Sequence, residues 1–182
     1  MTATPEWTAS YDVGSAAELQ ALAAALAPQL RPGDLLVLSG ELGAGKTTFT
    51  QGLGRGLAVE DRIISPTFVL VRQHSSRGDG PGLIHVDAYR LESAAAVDDL
   101  DLEATMAANI TVIEWGAGRV EHLSDSWLRV HIVRPLGGSG PAAADGGLIT
   151  AFDDDGVDEV RTVTLTGVGP RWSGQQPGLP LD

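Results

Sequence analysis

One octapeptide, Gly40-Glu41-Leu42-Gly43-Ala44-Gly45-Lys46-Thr47, constrains this fold more than anything else in the chain. It satisfies G-x-x-x-x-G-K-[ST] in full, a pattern that requires a strand running into a glycine-rich turn that opens a helix. Glycines let successive backbone N–H groups face inward on phosphates, the lysine reaches the β/γ oxygens, and the threonine hydroxyl takes a Mg²⁺. Both flanks comply. Residues 35–38 are an apolar run that reads as a buried strand, and residues 47–57 can continue as a helix. Lys46 is also the chain's single lysine, since the other eleven of its twelve Lys and Arg residues are arginines. The one compact ammonium thus stands where a nucleotide phosphate needs it, and a nucleoside triphosphate is the expected ligand.

Composition sets the frame around that loop. A chain of 182 residues, 43% of them apolar, is long enough for one domain with a substantial core. No apolar run approaches a membrane span, and no basic flank followed by a hydrophobic stretch opens the chain, so a cytoplasmic protein without a membrane partner is expected. With no cysteine there is no disulfide partner and no thiolate metal site. A net charge of −12 opposes direct binding of a phosphate backbone. It suits either docking on a basic protein or simple solubility.

Along the chain, residues 7–11 alternate as a strand. Ser15-Ala16-Ala17-Glu18 is a capping box, in which the serine oxygen accepts from the N–H at the third helical position and the glutamate reaches back to the serine N–H. An Ala/Leu-rich helix should follow, ending before the turn 31–34. Residues 68–73 are β-rich, 75–82 a flexible turn region, and 83–86 a short strand. Residues 92–106 are expected to be helical in pieces, and their acidic cluster (Asp98, Asp99, Asp101, Glu103) is a solvated face or a docking surface. Residues 110–113 form a buried strand, 127–133 alternate as another, and 161–166 should pair antiparallel with 127–133. Residues 1–134 together with 157–168 are therefore read as one domain. Residues 135–156 read as a flexible Gly/Ala/Asp-rich insertion and 169–182 as a disordered tail with a possible anchor at Trp172. The expected fold is α/β of the P-loop NTPase type, a mostly parallel central sheet with helices on both faces and an antiparallel edge.

Hydrolysis needs a second Mg²⁺ anchor and a group that places the attacking water. Carboxylates at the C-terminal ends of buried strands are the natural suppliers. Glu114 closes 110–113 in the manner of a Walker-B acid, and Asp87 closes 83–86. Either alone could be a turn residue or helix cap, but beneath a phosphate loop both read as functional. Thr67, in Ser65-Pro66-Thr67, is either a switch-type hydroxyl or part of a proline turn. His85 shares a strand face with Asp87 and reads as a buried structural histidine rather than a general base.

Four segments together, Gly40–Thr47, Ser65-Pro66-Thr67-Phe68, His85-Val86-Asp87-Ala88-Tyr89-Arg90 and Val112-Ile113-Glu114-Trp115, occur in the order and spacing of the TsaE (formerly YjeE) family. The chain resembles that family from about residue 15 to 133, and 161–167 look like its last strand. The resemblance implies a slow, partner-dependent ATPase required for threonylcarbamoyladenosine modification of tRNA next to the anticodon. It would act with TsaB and TsaD, not itself perform the transfer, and meet tRNA only through that complex. It implies ATP and Mg²⁺ as cofactors. Lys46 would hold the β/γ phosphates, Thr47 and Glu114 the Mg²⁺, and Asp87 would position or activate the water, with Thr67 in a switch-like segment. Trp115 is expected close to the nucleotide, and the cradle is expected to comprise residues 40–47 with Thr48.

Three other readings compete. A small-molecule kinase usually needs several lid arginines, and Arg72, Arg77 and Arg90 are the only candidates near the site. A GTPase normally carries Asn-Lys-x-Asp, whereas this chain has one asparagine, Asn109, and no lysine besides Lys46. A nucleotide-dependent interaction module with negligible hydrolysis has the same sequence signature as a slow ATPase.

Overall fold

Residues 35–38 are apolar without alternation because both faces of their strand are covered. In the computed structural model, which describes residues 4–60, 62–134 and 160–179, that strand lies at the centre of one seven-stranded sheet. The elements run β1 (Pro5–Val13), α1 (Ala16–Leu26), β2 (Leu35–Ser39), α2 (Lys46–Gly56), β3 (Val71–His74), β4 (Gly82–Asp87), α3 (Ala94–Asp98), α4 (Glu103–Met106), β5 (Asn109–Glu114), β6 (Trp127–Val133) and β7 (Arg161–Val168). Strand order across the sheet is β1-β7-β6-β2-β5-β4-β3. The four strands β6, β2, β5 and β4 are mutually parallel. Antiparallel pairs flank them on both sides, β6–β7–β1 on one and β4–β3 on the other, where the sequence predicted a single antiparallel edge.

Alternate residues of β2 feed two cores. Leu36 and Leu38 face α1 and α2 with Leu19, Leu22, Leu26, Phe49 and Leu53, while Leu35 and Val37 face α3 and α4 with Val97, Leu102 and Met106. Each fully buried leucine contributes roughly 1.5–3 kcal/mol. Helix α1 lies tightly on α2 because Gly52 has no side chain: a Cβ there would stand 2.3 Å from the Gln20 carbonyl oxygen.

The Ser15 cap is present, its Oγ accepting from Glu18 N at 3.1 Å. The Glu18 carboxylate, however, accepts from Gly14 N at 2.7 Å, one residue earlier than the capping box predicts. Residues 92–106 do form two short helices. The β-rich stretch 68–73 is a strand only from Val71, because Val69 N and Leu70 N both bond back to the Pro66 carbonyl and Leu70 takes a left-handed φ of 65°. The turn after β3 is pinned by a bridge between Val59 and Ser76 and by Arg77 N on the Ala58 carbonyl.

Residues 169–179 depart from the expected loose tail, while the anchor expected at Trp172 is present. Trp172 is 1% exposed and meets the Trp7 ring edge-on at 5.9 Å, and Trp7 Nε1 donates to the Trp172 carbonyl at 2.9 Å. Arg171 donates to both oxygens of buried Asp34, at 2.9 and 3.1 Å. The 135–156 insertion lies outside the described residues.

Candidate functional site

The C-terminal ends of β2, β4 and β5 converge with the start of α2. Gly45 ends the loop at φ 110°, a left-handed conformation, and a Cβ on it would meet Leu19 Cδ2 at 2.7 Å. The positive φ is what calls for glycine there, and a Cβ would in addition push the Leu19 side chain aside. The turn then releases the unpaired N–H groups of the first turn of α2, the positive end of the helix dipole and a natural seat for anions.

Lys46, the first residue of α2, is 5% exposed. Its Nζ donates to the carbonyl oxygens of Gly40 and Glu41, each at 2.9 Å, and stands 3.7 Å from the centre of the Trp115 ring. Burial pushes its pKa below the ordinary lysine value, while the nearby carboxylates of Glu114 and Asp87 pull the other way. Around it, Ala44 is buried and its N bonds to the Glu41 carbonyl at 3.1 Å. Leu42 projects into solvent at 77% exposure. Thr48 is half-buried in the first turn of α2.

Parallel register places Asp87 directly beside Glu114. Thr47 Oγ1 donates to Glu114 Oε1 at 3.0 Å and contacts Oε2 at 3.4 Å. His85 Nε2 lies 2.8 Å from the same Oε1. Asp87 Oδ2 accepts from Thr67 Oγ1 at 2.7 Å, Thr67 meets Ser65 Oγ at 2.7 Å, and Asp87 Oδ1 accepts from Tyr89 N at 2.9 Å. Thr67 therefore sits in a proline turn and also touches the candidate water-placing acid.

Trp115 follows Glu114 with φ 62°, unusual for a bulky residue and a kind of strain that concentrates at functional sites. Its N still bonds to the Leu38 carbonyl at 3.1 Å, so the strand ends there and the ring turns over Lys46. Tyr89 packs edge-on against it at 5.3 Å. Arg119 donates to the carbonyls of Ala88, Leu91 and Trp115, tying the segments after β4 and β5 together.

The structure thus brings Lys46, Thr47, Glu114 and Trp115 into contact and puts Asp87 and Thr67 beside them. Sequence reasoning missed the His85–Glu114 contact, Tyr89 and the Arg119 clamp. Only His85 carried a signal, its two-residue spacing from Asp87 on one strand face. Thr47 and Glu114 offer hard oxygen donors suited to Mg²⁺. Among the described residues no group of three or more His, Asp or Glu is placed to hold a metal ion.

A strand, glycine-rich loop and helix at the parallel centre of the sheet, with acids closing the adjoining strand β5 and the next one, β4, define an α/β protein of the P-loop fold. The structure resembles the crystal structure of YdiB from Bacillus subtilis, with a TM-score of 0.65 and 29% identity, covering 93% of this chain and 91% of that one. Residues 13–136 match the model of a family described as threonylcarbamoyl adenosine biosynthesis protein TsaE, and the chain belongs to that family. Relatives named tRNA threonylcarbamoyladenosine biosynthesis protein TsaE include one from Streptomyces coelicolor, 50% identical over 81% of this chain and 89% of its own length. Another from Bacillus subtilis is 34% identical over 85% of this chain and 83% of its own. Among the described residues no helix is long and apolar enough to cross a membrane.

Proposed function

We propose that this chain binds ATP with Mg²⁺ at the loop 40–47, hydrolyses it slowly by itself, and acts on a TsaB–TsaD complex during tRNA threonylcarbamoyladenosine modification. It meets tRNA only through that complex and does not carry out the transfer. The observation that carries this reading is the contact set Lys46, Thr47 and Glu114, with Asp87 beside Glu114 in register. Lys46 would exchange its two loop carbonyls for β/γ-phosphate oxygens, and Thr47 with Glu114 would hold the Mg²⁺. That ion supplies neutralisation of charge on the β/γ oxygens. Asp87 orients the water that attacks the γ-phosphorus as the bond to the β-phosphate oxygen breaks, releasing ADP and phosphate.

Slow intrinsic turnover has a local rationale. Asp87 Oδ2 accepts from Thr67 and Oδ1 from Tyr89 N, so an attacking water has to share this carboxylate with Thr67 while the 65–67 turn stays in place. A partner docking on that turn would then raise the rate. Family membership favours this role over a small-molecule kinase. An interaction module with negligible hydrolysis is favoured by the same Thr67–Asp87 contact.

The test is ATP hydrolysis by the pure protein with and without matching TsaB and TsaD, with Lys46→Ala as the blank. Turnover that is slow alone and rises with the partners is expected. Equal rates with and without them refute the partner role, and rates no higher than the blank in both settings refute the ATPase.

A further inference from the structure

His85 is fully buried, yet it presents a polar ring to the core. Its Nδ1 has no hydrogen-bond partner among the described residues. A side chain kept only to fill space would do better as leucine, which has no polar atom to strip of water. What histidine adds is Nε2, 2.8 Å from Glu114 Oε1. A carboxylate can only accept, so the ring proton sits on Nε2 and points at Glu114.

The second observation concerns the carboxylate itself. Thr47 Oγ1 reaches both of its oxygens, at 3.0 and 3.4 Å, a shared contact that does not by itself choose firmly between them. The terminal torsion of a glutamate is broad and does not lock by itself. The His85 bond breaks that degeneracy. Both short bonds go to Oε1, leaving Oε2 as the open acceptor in a group only 3% exposed. Thr47 meanwhile donates its single proton and keeps its lone pairs available.

We propose that His85 is a positioning residue that fixes the Glu114 carboxylate so that Oε2 and the Thr47 hydroxyl oxygen face a Mg²⁺–nucleotide together. This rests on the ATP–Mg²⁺ reading above. Its signature is the coupling between metal and nucleotide, with no effect on nucleotide affinity in the absence of metal.

The experiment is calorimetric titration of ATP into the purified full chain, in excess Mg²⁺ and in EDTA, for wild type, His85→Gln, His85→Asn and His85→Leu. The ratio of the two dissociation constants is the readout. Glutamine carries an N–H donor at the reach of histidine Nε2, whereas asparagine is too short and leucine has none. The asparagine and leucine variants are expected to lose about 10-fold or more of the ratio, the usual scale for removing a partner of a metal ligand. Glutamine is expected to stay within about 3-fold of wild type on that scale, and EDTA affinity to be unchanged throughout. Should leucine fail to fold, the glutamine–asparagine pair decides. Equal ratios in all variants, or glutamine as weak as asparagine, overturn the positioning role while leaving the ATP–Mg²⁺ reading standing. A wild-type ratio of one, or no ATP binding by wild type, overturns that underlying reading and this inference with it.

Discussion

Replacing Lys46 by methionine should move stability and ligand affinity in opposite directions. In the free protein the ammonium gains two charge-assisted bonds to the Gly40 and Glu41 carbonyls and its contact with the Trp115 ring. Bonds to charged groups are worth roughly 1.5–3 kcal/mol each and a cation–π contact about 0.5–2 kcal/mol. Against this stands the cost of stripping water from a charge, several kcal/mol in a buried site. The lowered pKa of Lys46 means that desolvation outweighs the attraction of Glu114 and Asp87, which shifts the balance toward a net cost for the buried charge. Methionine keeps the stem and the contact with Trp115 without the charge, so the free variant should melt at or above the wild-type temperature. The gain also has a pH dependence of known sign. Between the lowered pKa and the ordinary 10.5, the unfolded chain binds more protons at Lys46 than the folded one. Wild-type stability from this group therefore rises across that alkaline window, and the advantage of the variant narrows there. Binding should go the other way. Removing one partner of a buried charge pair costs about 2–5 kcal/mol, or roughly 30-fold to several-thousand-fold in Kd for ATP. Differential scanning fluorimetry across pH and calorimetric titration of ATP give both numbers. A folding defect alone would lower melting temperature and affinity together. That outcome, or unchanged ATP affinity, refutes the reasoning.

Asp87→Ala should bind ATP within about 3-fold of wild type yet lose partner-stimulated turnover by about 100-fold or more, the scale of a lost acid–base or water-orienting group; poor binding with normal saturated turnover would show that it holds ligand instead. Trp172→Ala removes a ring that is 1% exposed, and large-to-small changes of that kind cost about 3–5 kcal/mol. Melting should fall by about 6–20 °C, and a fall under about 2 °C would show that 169–179 do not support the core. Gly52→Ala sets a methyl 2.3 Å from the Gln20 backbone oxygen. Overpacking of about 1–3 kcal/mol should lower the melting temperature by about 2–12 °C, and an unchanged value would mean that α1 and α2 part freely.

Elements with a local signature could be read from the sequence. The phosphate loop announces β2 and α2, Ser15 announces α1, and the alternation of 161–166 announces β7 and its pairing with β6. The place of β1 could not be read, because an alternating strand says which face is buried and nothing about its neighbour. It lies against β7, some 150 residues away in the register Tyr11↔Val163. The segment 169–179 misled for a related reason. Its Gly, Pro and Gln content resembles a loose tail, but its order comes from Arg171 on Asp34 and Trp172 on Trp7, and composition carries no record of such distant contacts.

The site divides along the same line. Lys46 and Thr47 belong to a contiguous motif, and Glu114 and Asp87 each close an apolar strand, so local rules reach all four. The Arg119 clamp and the left-handed turn at Trp115 left no local trace, since an arginine in a loop and a tryptophan after a strand are common for many reasons. His85 is the instructive case. Once β4 and β5 are neighbours in parallel register, Asp87 faces Glu114. The two-residue period of a strand then puts His85 on the same face one step behind, where an imidazole can reach back to Glu114 Oε1. The chemistry of the contact was fully present in His85-Val86-Asp87, and only the pairing of the two strands was missing. In a sheet of this kind, knowing which strands adjoin converts a structural histidine into a candidate for the site.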